Sequence, residues 1–240
     1  MRRDRTPLYN PPALGHSSLT MNSPLLDALL DSPALPELIY EAQKSLAQEQ
    51  RLRRKFYEDI TPENKWEFIN GEVVLHSPAL DRHLATSMRI CELLRAYVRT
   101  RALGIVRHEK AMTSFPRNDY EPDVMYFGST KAALIDPDTL RFPVPDLVVE
   151  VLSPSTEARD RGVKFRDYAL HGVGEYWIVD AVEETVELHR LEGDAYPPAE
   201  RQADGTLVSD VVPGFEIPVR AVFDESENLA VLRRILGEAG

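Results

Sequence analysis

The stretch PDLVVEVLSPSTEARDRGVKFRDY, from Pro145 to Tyr168, predicts a buried β-strand followed by a turn and a helix, and it determines the fold that we expect. The strand is apolar apart from two carboxylates, Asp146 and Glu150, which share one face because side chains alternate along a strand. An unpaired carboxylate in a protein core costs free energy or takes up a proton. Either a positive group compensates these acids, or the strand ends in a functional site.

The residues after this strand predict a helix that carries a lysine back toward it. Pro154 bars further sheet pairing, and the neighbouring hydroxyl side chains can cap a helix running from about Thr156 to His171. Lys164 and Tyr168 fall on one stripe of this helix. The adjacent stripe, which we expect to pack on the sheet, consists of Ala158, Gly162, Phe165 and Ala169. Lys164 then lies at the border of the buried face, with its ammonium directed toward the acids.

A second strand supplies a partner for Glu150. Asp146 lies about 13 Å from Glu150 along the strand, too far for both to bind one metal ion. If the strand PDVMYF, Pro122 to Phe127, runs antiparallel to the first, Asp123 lies next to Glu150. Two converging carboxylates repel each other unless a cation lies between them. Mg²⁺ suits such a pair because it binds through one or two carboxylates together with waters and phosphate.

Asp123, Glu150 and Lys164 are therefore the predicted catalytic residues, with Asp123 and Glu150 as ligands of Mg²⁺ and Mn²⁺ as its substitute. Such a set hydrolyses a phosphodiester: metal-activated water attacks, while the metal and the lysine stabilise the developing charge. We interpret Asp146 as a structural acid that binds backbone N–H groups or a basic neighbour.

The rest of the sequence predicts a mixed α/β sheet flanked by helices. Asn70-Gly71 in KWEFINGEVV predicts a hairpin with a type I′ turn. An amphipathic helix is expected over Leu80 to about Ala102. Further strands are expected near residues 105–109, at 176–180 and at 185–191. A nucleotide-cofactor fold has no support, because the chain contains neither GxGxxG nor a P-loop string.

The sequence also predicts how the chain divides into an extension, a helix and a domain. Residues 1–36 are rich in proline without periodicity and predict a poorly ordered extension. Residues 37–56 predict a helix, and 57–240 a single domain. The helix contains the basic cluster RLRRK, from Arg51 to Lys55, which is either a solvated face or a nucleic-acid contact.

Composition excludes several classes of protein. The net charge of −11 argues against a broad basic face that coats nucleic acid, but not against a local basic rim around an acidic centre. Cys91 is the only cysteine, which excludes an intramolecular disulfide and a Cys-rich zinc site. No apolar run approaches the roughly 18 residues of a membrane span, and the basic N-terminus lacks the apolar segment of a secretory signal. We expect a cytoplasmic protein.

Five strings together resemble a known family. WEFINGEVV, EPDVMYF, PDLVVEVLSPST, GVKFRDYALHGVGEYWIVD and PGFEIP, in this order over about residues 57–222, are similar to the Uma-type restriction endonucleases of the PD-(D/E)xK nuclease superfamily. The resemblance implies a restriction-endonuclease-like core over 57–240, dependence on Mg²⁺, DNA as substrate and a possible homodimer.

The resemblance also assigns roles to residues. Asp123 and Glu150 carry over as metal ligands, and Lys164 as the group that stabilises charge or orients water. The chain departs from the superfamily pattern at Leu152, where a lysine is usual. In this family the motif lysine looks to have moved to the following helix, and Lys164 matches that position.

Each assignment has a simpler structural alternative. Glu150 is then a polar strand end, Asp123 the cap of a turn, and Lys164 a solvated helix residue. An ion pair between Asp160 and Lys164 would weaken the catalytic assignment. Residues at the possible border of the site are Glu72, His83 and Tyr168.

The predicted function is a metal-dependent DNA endonuclease. The alternative is a catalytically silent module with the same fold that binds nucleic acid or protein, which the acidic net charge favours. A third hypothesis is a metal-dependent hydrolase of small phosphate esters. A Ser-His-Asp hydrolase has no support, because the chain has no GxSxG string.

Overall fold

The computed structural model describes residues 24–61 and 65–237, and the chain divides into two compact units between Glu58 and Asp59. The first unit contains helix α1 (Pro24–Leu30) and helix α2 (Leu35–Asp59), which ends at the boundary.

Helix α1 lies within the predicted extension 1–36, of which residues 1–23 fall outside the described residues. The sequence analysis missed it because the segment is rich in proline and has no sustained periodicity, whereas Pro24 occupies the first helical position, where its missing N–H costs nothing. The domain assignment 57–240 stays a prediction.

The second unit is a mixed α/β structure. Its strands are β1 (Trp66–Ile69), β2 (Glu72–Leu75), β3 (Gly104–His108), β4 (Thr113–Ser114), β5 (Asp119–Tyr120), β6 (Val124–Gly128), β7 (Leu147–Val151), β8 (Glu175–Asp180), β9 (Thr185–Arg190), β10 (Arg201–Gln202), β11 (Thr206–Val208) and β12 (Glu216–Pro218). Its helices are α3 (Asp81–Thr100), α4 (Ser129–Ala132), α5 (Glu157–Arg159), α6 (Phe165–Leu170), α7 (Arg220–Phe223) and α8 (Glu225–Gly237). A turn of π-helix over Asp160–Lys164 joins α5 to α6.

A six-stranded sheet forms the centre of this unit, in the order β10-β9-β8-β7-β6-β3. Strands β7 and β8 are parallel, and the other neighbours are antiparallel. Parallel neighbours need a crossover connection, which the segment from α5 to α6 provides. A second sheet has the order β2-β1-β5-β4, and β11 pairs with β12. The predicted fold class, a central mixed sheet flanked by helices, is confirmed.

The register of β6 against β7 places the two predicted acids side by side. Val124 pairs with Val149 and Tyr126 with Leu147 in antiparallel order. One step further in the same register, Asp123 stands opposite Glu150. The antiparallel alignment that the sequence predicted is therefore confirmed.

The two faces of the central sheet pack against different layers. On one face, Val149 packs in a core with residues of α3 and α8. On the other, Val148 packs with aromatic side chains that include Tyr168 and Tyr176. Glu150 shares the face of Val148, because it lies two residues further along the strand. The acids therefore face the layer that contains α6.

The β1–β2 hairpin has the predicted turn. Asn70 and Gly71 have φ angles of 50° and 88°, as a type I′ turn requires. The side chain of Asn118 accepts a hydrogen bond of 2.8 Å from the Asn70 N–H, which attaches the turn to the segment before β5. The hairpin thereby brings β1 beside the acids of the central sheet.

Asp146 has the structural role that the sequence analysis favoured. Its Oδ2 accepts a hydrogen bond of 2.7 Å from the Gly128 N–H, and its Oδ1 lies 2.7 Å from the Lys131 ammonium. These contacts attach the start of β7 to the end of β6 and to α4. They lie at the end of the β6–β7 pair that is opposite to Asp123 and Glu150.

Asp146→Ala is expected to lower the free energy of unfolding by about 1–3 kcal/mol, because it removes the acceptor of the Gly128 N–H and the partner of Lys131. Urea denaturation of the wild type and the variant measures this difference. An unchanged midpoint and slope would contradict the structural role.

Candidate active site

A cleft of about 640 Å³ opens where β6 begins and β7 ends. Its walls come from residues 75–84, from the ends of segment 109–123, from residues 150–156 and from a few side chains beyond them. Asp123, Glu150 and Lys164 all line it. The structure therefore brings the three predicted catalytic residues to one place.

Lys164 is the closest partner of Glu150. Its ammonium donates a hydrogen bond of 2.9 Å to Glu150 Oε1, and the hydroxyl of Tyr168 donates a second one of 3.0 Å to the same oxygen. Both donors are buried. Since these bonds end on Oε1 and Glu150 lines the cleft, Oε2 is the oxygen available to a ligand there.

Two further carboxylates surround the Lys164 ammonium. Glu67 Oε1, on β1, lies 3.0 Å from it, and Asp160 Oδ1, in the π-turn, lies 3.3 Å away. Glu67 Oε1 also accepts a hydrogen bond of 2.9 Å from the Glu121 N–H. The Lys164 side chain is only 2% exposed. It is thus a buried ion that joins two sheets and the crossover segment.

The π-turn corrects the predicted packing of the crossover helix. The predicted sheet-facing stripe included Ala158 and Gly162, but Ala158 is exposed and a Cβ on Gly162 would meet no atom within 4 Å. The other two members of the predicted stripe, Phe165 and Ala169, do pack in the core, and Asp160, Lys164 and Tyr168 are buried beside them. The prediction is therefore wrong for the first half of the stripe, where the segment forms a π-turn with the polar Asp160 and Lys164 inward.

Asp123 is bound on both of its oxygens. Oδ2 accepts a hydrogen bond of 2.8 Å from the Val151 N–H, whereas Oδ1 lies 3.4 Å from the Lys65 ammonium and 3.3 Å from His83 Nε2. Burial alone would raise the pKa of Asp123, but His83, Lys65 and the Val151 N–H lower it to about 2. Asp123 is therefore ionised across the physiological pH range.

The acids that surround Lys164 respond differently to burial. Burial raises the pKa of Glu150 to about 8, and the opposing charge of Lys164 does not cancel this effect. For Glu67, burial is outweighed by Lys164, His76 and the Glu121 N–H, so the pKa is lowered. The pKa of Lys164 is raised against its own burial by the acids around it. The acids thus favour the charged form of the lysine, whereas burial favours the protonated form of Glu150 when no cation is bound.

The buried carboxyl groups outnumber the lysines that face them. The carboxyl groups are Glu67, Asp123, Glu150 and Asp160, and the lysines are Lys65 and Lys164. Converging carboxylates favour either protonation or a bound cation. A divalent cation would offset the excess of negative charge and allow Glu150 to ionise.

The carboxylate oxygens of the cleft suit a hard cation whose remaining ligands are mainly water molecules. Within residues 24–61 and 65–237, no three side chains of His, Cys, Asp or Glu form a ready metal site. Mg²⁺ does not need one, since it is commonly bound by one or two carboxylates with waters and substrate phosphate. Asp123 and Glu150 provide such a pair, and Mn²⁺ suits the same oxygen ligands.

A comparison with known protein families identifies the family to which the chain belongs. The family Uma2, described as "Putative restriction endonuclease", matches residues 49–220. The chain belongs to this family. The resemblance found in the sequence is therefore confirmed.

Two individual proteins are also similar to the chain. The chain is 28% identical over 169 residues to an uncharacterized protein of Synechocystis sp., covering 68% of this chain and 80% of that protein. It superposes with a TM-score of 0.62 on the crystal structure of a putative nuclease belonging to DUF820 from Anabaena variabilis. That match covers 72% of this chain and 96% of the other at 18% identity, so it supports the fold.

The three residues predicted for the border of the site have different positions in this Uma2 protein. His83 contacts Asp123, and Tyr168 contacts Glu150. Glu72 is exposed at the hairpin turn opposite Ile69 and does not line the cleft. The catalytic and metal-binding roles of Asp123, Glu150 and Lys164 stay predictions.

The sequence analysis missed two side chains of the site. Glu67 carried the signal that identified Glu150, a carboxylate within a strand whose neighbours are apolar, and the structure shows it fully buried. Lys65 carried no such signal, because a lysine before a strand is ordinary.

None of the helices in the described part of the chain has the length and apolar character that crossing a membrane requires.

Lys164→Met is expected to lower the free energy of unfolding by about 3–5 kcal/mol, because it leaves buried carboxylates without their counter-ion. The matched control Lys131→Met removes a lysine whose pair with Asp146 is 29% exposed on both sides, and it should cost about 1 kcal/mol or less. Urea denaturation compares the two. Equal losses would show that Lys164 is not the buried counter-ion described here.

Glu150→Gln is expected to make the stability of the metal-free protein less dependent on pH. A carboxyl group whose pKa rises on folding stabilises the fold at low pH, and this stabilisation is lost as the pH rises through the folded-state value. For Glu150 the loss runs from its ordinary value of 4.5 to about 8. It contributes a slope of up to about 1.4 kcal/mol per pH unit.

Denaturation at several pH values in chelator measures this slope for the wild type, Glu150→Gln and the exposed control Glu72→Gln. Glu121, whose pKa burial raises to about 7, leaves a residual slope in all three proteins. The wild type and the control should lose more stability toward pH 8 than Glu150→Gln does. Three parallel curves would refute the raised pKa of Glu150.

Proposed function

We propose that this Uma2 protein is a metal-dependent endonuclease that hydrolyses DNA phosphodiester bonds. The observation that supports this most is the adjacency of Asp123 and Glu150 at the mouth of the cleft, with Lys164 bound to the second acid. Pairs of carboxylates that suit a hard cation are typical of phosphoryl-transfer sites. Membership of the family supports nuclease activity, and the metal dependence and the DNA substrate are the proposal.

The chain's own residues have separate tasks in this proposal. Asp123 and Glu150 would hold Mg²⁺, with Mn²⁺ as its substitute, and the bound ion would supply activated water and positive charge at the phosphate. The Val151 N–H fixes Asp123 through Oδ2. Lys164 and Tyr168 hold Glu150 through Oε1. These bonds hold one oxygen of each acid in place before a ligand binds, a preorganisation that lowers the cost of reaction. Glu150 Oε2 is then open to a cation, whereas Asp123 Oδ1 would have to exchange its contacts with Lys65 and His83 for it.

Basic side chains on the cleft wall support a phosphate-rich substrate. The chain as a whole has a net charge of −11, yet the lining of the cleft includes Lys65, Arg82, Lys110 and Arg159. Among the described residues, Arg159 Nε is a buried donor without a hydrogen-bond acceptor. An anionic ligand in the cleft would satisfy it. The same lining contains four carboxyl groups, Glu109, Glu121, Asp123 and Glu150, so the cleft combines cations for a phosphate with acids for a metal ion.

A second candidate function is a catalytically silent module that binds nucleic acid or protein. The observation that favours it is the state of Asp123, whose Oδ1 already has Lys65 and His83 as partners. A site that is satisfied by its own side chains needs no cation for stability. Cleavage of DNA distinguishes the two candidates, because the module would bind the same DNA without cutting it.

The possible homodimer and the cytoplasmic location that the sequence analysis expected belong to the same proposal. Sedimentation velocity of the full chain, with and without DNA, measures the first of them. A monomer at all concentrations would remove the homodimer and would leave the nuclease assignment intact.

The wild type is expected to nick or cut supercoiled plasmid in Mg²⁺ or Mn²⁺ and not in chelator. Glu150→Gln and Asp123→Asn should each reduce the rate by at least about 100-fold, since each removes one charged ligand. The control Asp146→Asn changes a structural acid outside the cleft lining and should stay close to the wild-type rate. Gel assays on supercoiled, linear and single-stranded DNA measure these rates.

Three results would argue against the endonuclease. Equal cutting by the wild type and Glu150→Gln would indicate a contaminating nuclease. Activity on small chromogenic phosphodiesters with none on any DNA would favour the hydrolase of small esters. DNA binding without cutting would favour the silent module.

A further inference from the structure

The two lysines of the cleft are held in different ways. Lys164 is 2% exposed and bonds at 2.9–3.0 Å to Glu150 and Glu67. Lys65 is 21% exposed and lies 3.4 Å from Asp123 Oδ1, at the long limit of a hydrogen bond. Lys164 is thus enclosed by protein groups, whereas Lys65 is loosely held on a long side chain at the cleft wall.

The oxygen that Lys65 contacts is the one that a metal ion would need. Asp123 Oδ2 is bound by the Val151 N–H, so a cation in the cleft would approach Oδ1, which has His83 Nε2 at 3.3 Å and the more exposed Lys65 ammonium at 3.4 Å. An ammonium and a divalent cation on one oxygen repel each other strongly. Lys65 therefore has to give up this contact when a cation binds, and its exposure and its four-carbon stem allow the movement.

We propose that Lys65 is the substrate-facing lysine of the cleft. It serves as counter-ion of Asp123 in the metal-free protein and contacts a phosphate oxygen of the substrate once a cation has replaced it. Lys164 is a positioning residue that holds Glu150 and does not touch the substrate. This inference rests on the proposed endonuclease function and divides between two residues the role that the resemblance gave to Lys164 alone.

The first test measures metal binding without DNA. Lys65→Met removes a competitor for Asp123 Oδ1, so the variant should bind Mn²⁺ on the order of tenfold more tightly than the wild type in calorimetry. Lys131→Met, which removes a lysine paired with Asp146 outside the cleft lining, should bind Mn²⁺ like the wild type. A purely structural role of Lys65 would predict unchanged or weaker binding.

The second test measures cleavage by the same proteins at saturating Mn²⁺. Lys65→Met should cut plasmid about 100-fold more slowly, as expected when one charged contact to the reacting group is lost. Lys65→Arg keeps a cation at this place and should stay within about tenfold of the wild type. If Lys65→Met does not fold, Lys65→Gln takes its place, and metal binding and cleavage are both compared between Lys65→Gln and Lys65→Arg. Tighter metal binding with slower cutting is the signature of the proposal.

The outcomes separate this inference from the function on which it rests. If the wild type cuts DNA and Lys65→Met cuts equally well, Lys65 is not the substrate-facing lysine and the endonuclease stands. If Lys65→Met cuts slowly but binds Mn²⁺ no more tightly, the exchange between lysine and cation is refuted. If the wild type cuts no DNA under any condition, the proposed function fails and the substrate contact fails with it.

Discussion

The second unit depends on one buried ammonium. Lys164 is enclosed by carboxylates from three separate elements: Glu67 on β1, Glu150 on β7 and Asp160 in the π-turn. A buried charge is tolerated only when it is paired and hydrogen-bonded, and breaking such a pair costs far more than breaking a surface pair. The ammonium therefore fixes the hairpin sheet, the central sheet and the crossover segment against one another. Asp160 and Lys164 are the first and last residues of the π-turn, and both are buried on its inward side.

The same arrangement explains why the site is suited to a cation. One lysine cannot neutralise three carboxyl groups, and Asp123 adds a fourth that is only partly offset by Lys65 and His83. Without a cation the excess charge is reduced by a proton on Glu150, whose pKa burial raises to about 8. The protein thus holds its two proposed ligands in place at the expense of stability, as functional sites commonly do. Asp146, on the same strand face, shows the contrast: its partners Gly128 and Lys131 leave it purely structural.

Local patterns predicted much of this structure. Alternation along the strands and antiparallel pairing placed Asp123 beside Glu150, and Asn70-Gly71 predicted the hairpin turn. Contacts between distant segments were not predictable. Nothing in the sequence near β1 shows that Glu67 meets a lysine almost a hundred residues later, and a regular helix was the natural expectation where the π-turn stands. The predicted apolar stripe is therefore wrong at Ala158 and Gly162, before and within the π-turn, and is confirmed at Phe165 and Ala169, after it.

The most direct test of this account is calorimetry of Mn²⁺ binding at pH 7 in buffers of different ionisation enthalpy, which counts the protons that binding releases. The account predicts binding with release of close to one proton in the wild type, because Glu150 must ionise to take the cation, and much less release in Glu150→Gln. No binding, or binding without proton release in the wild type, would contradict the claim that these buried carboxyl groups form a cation site.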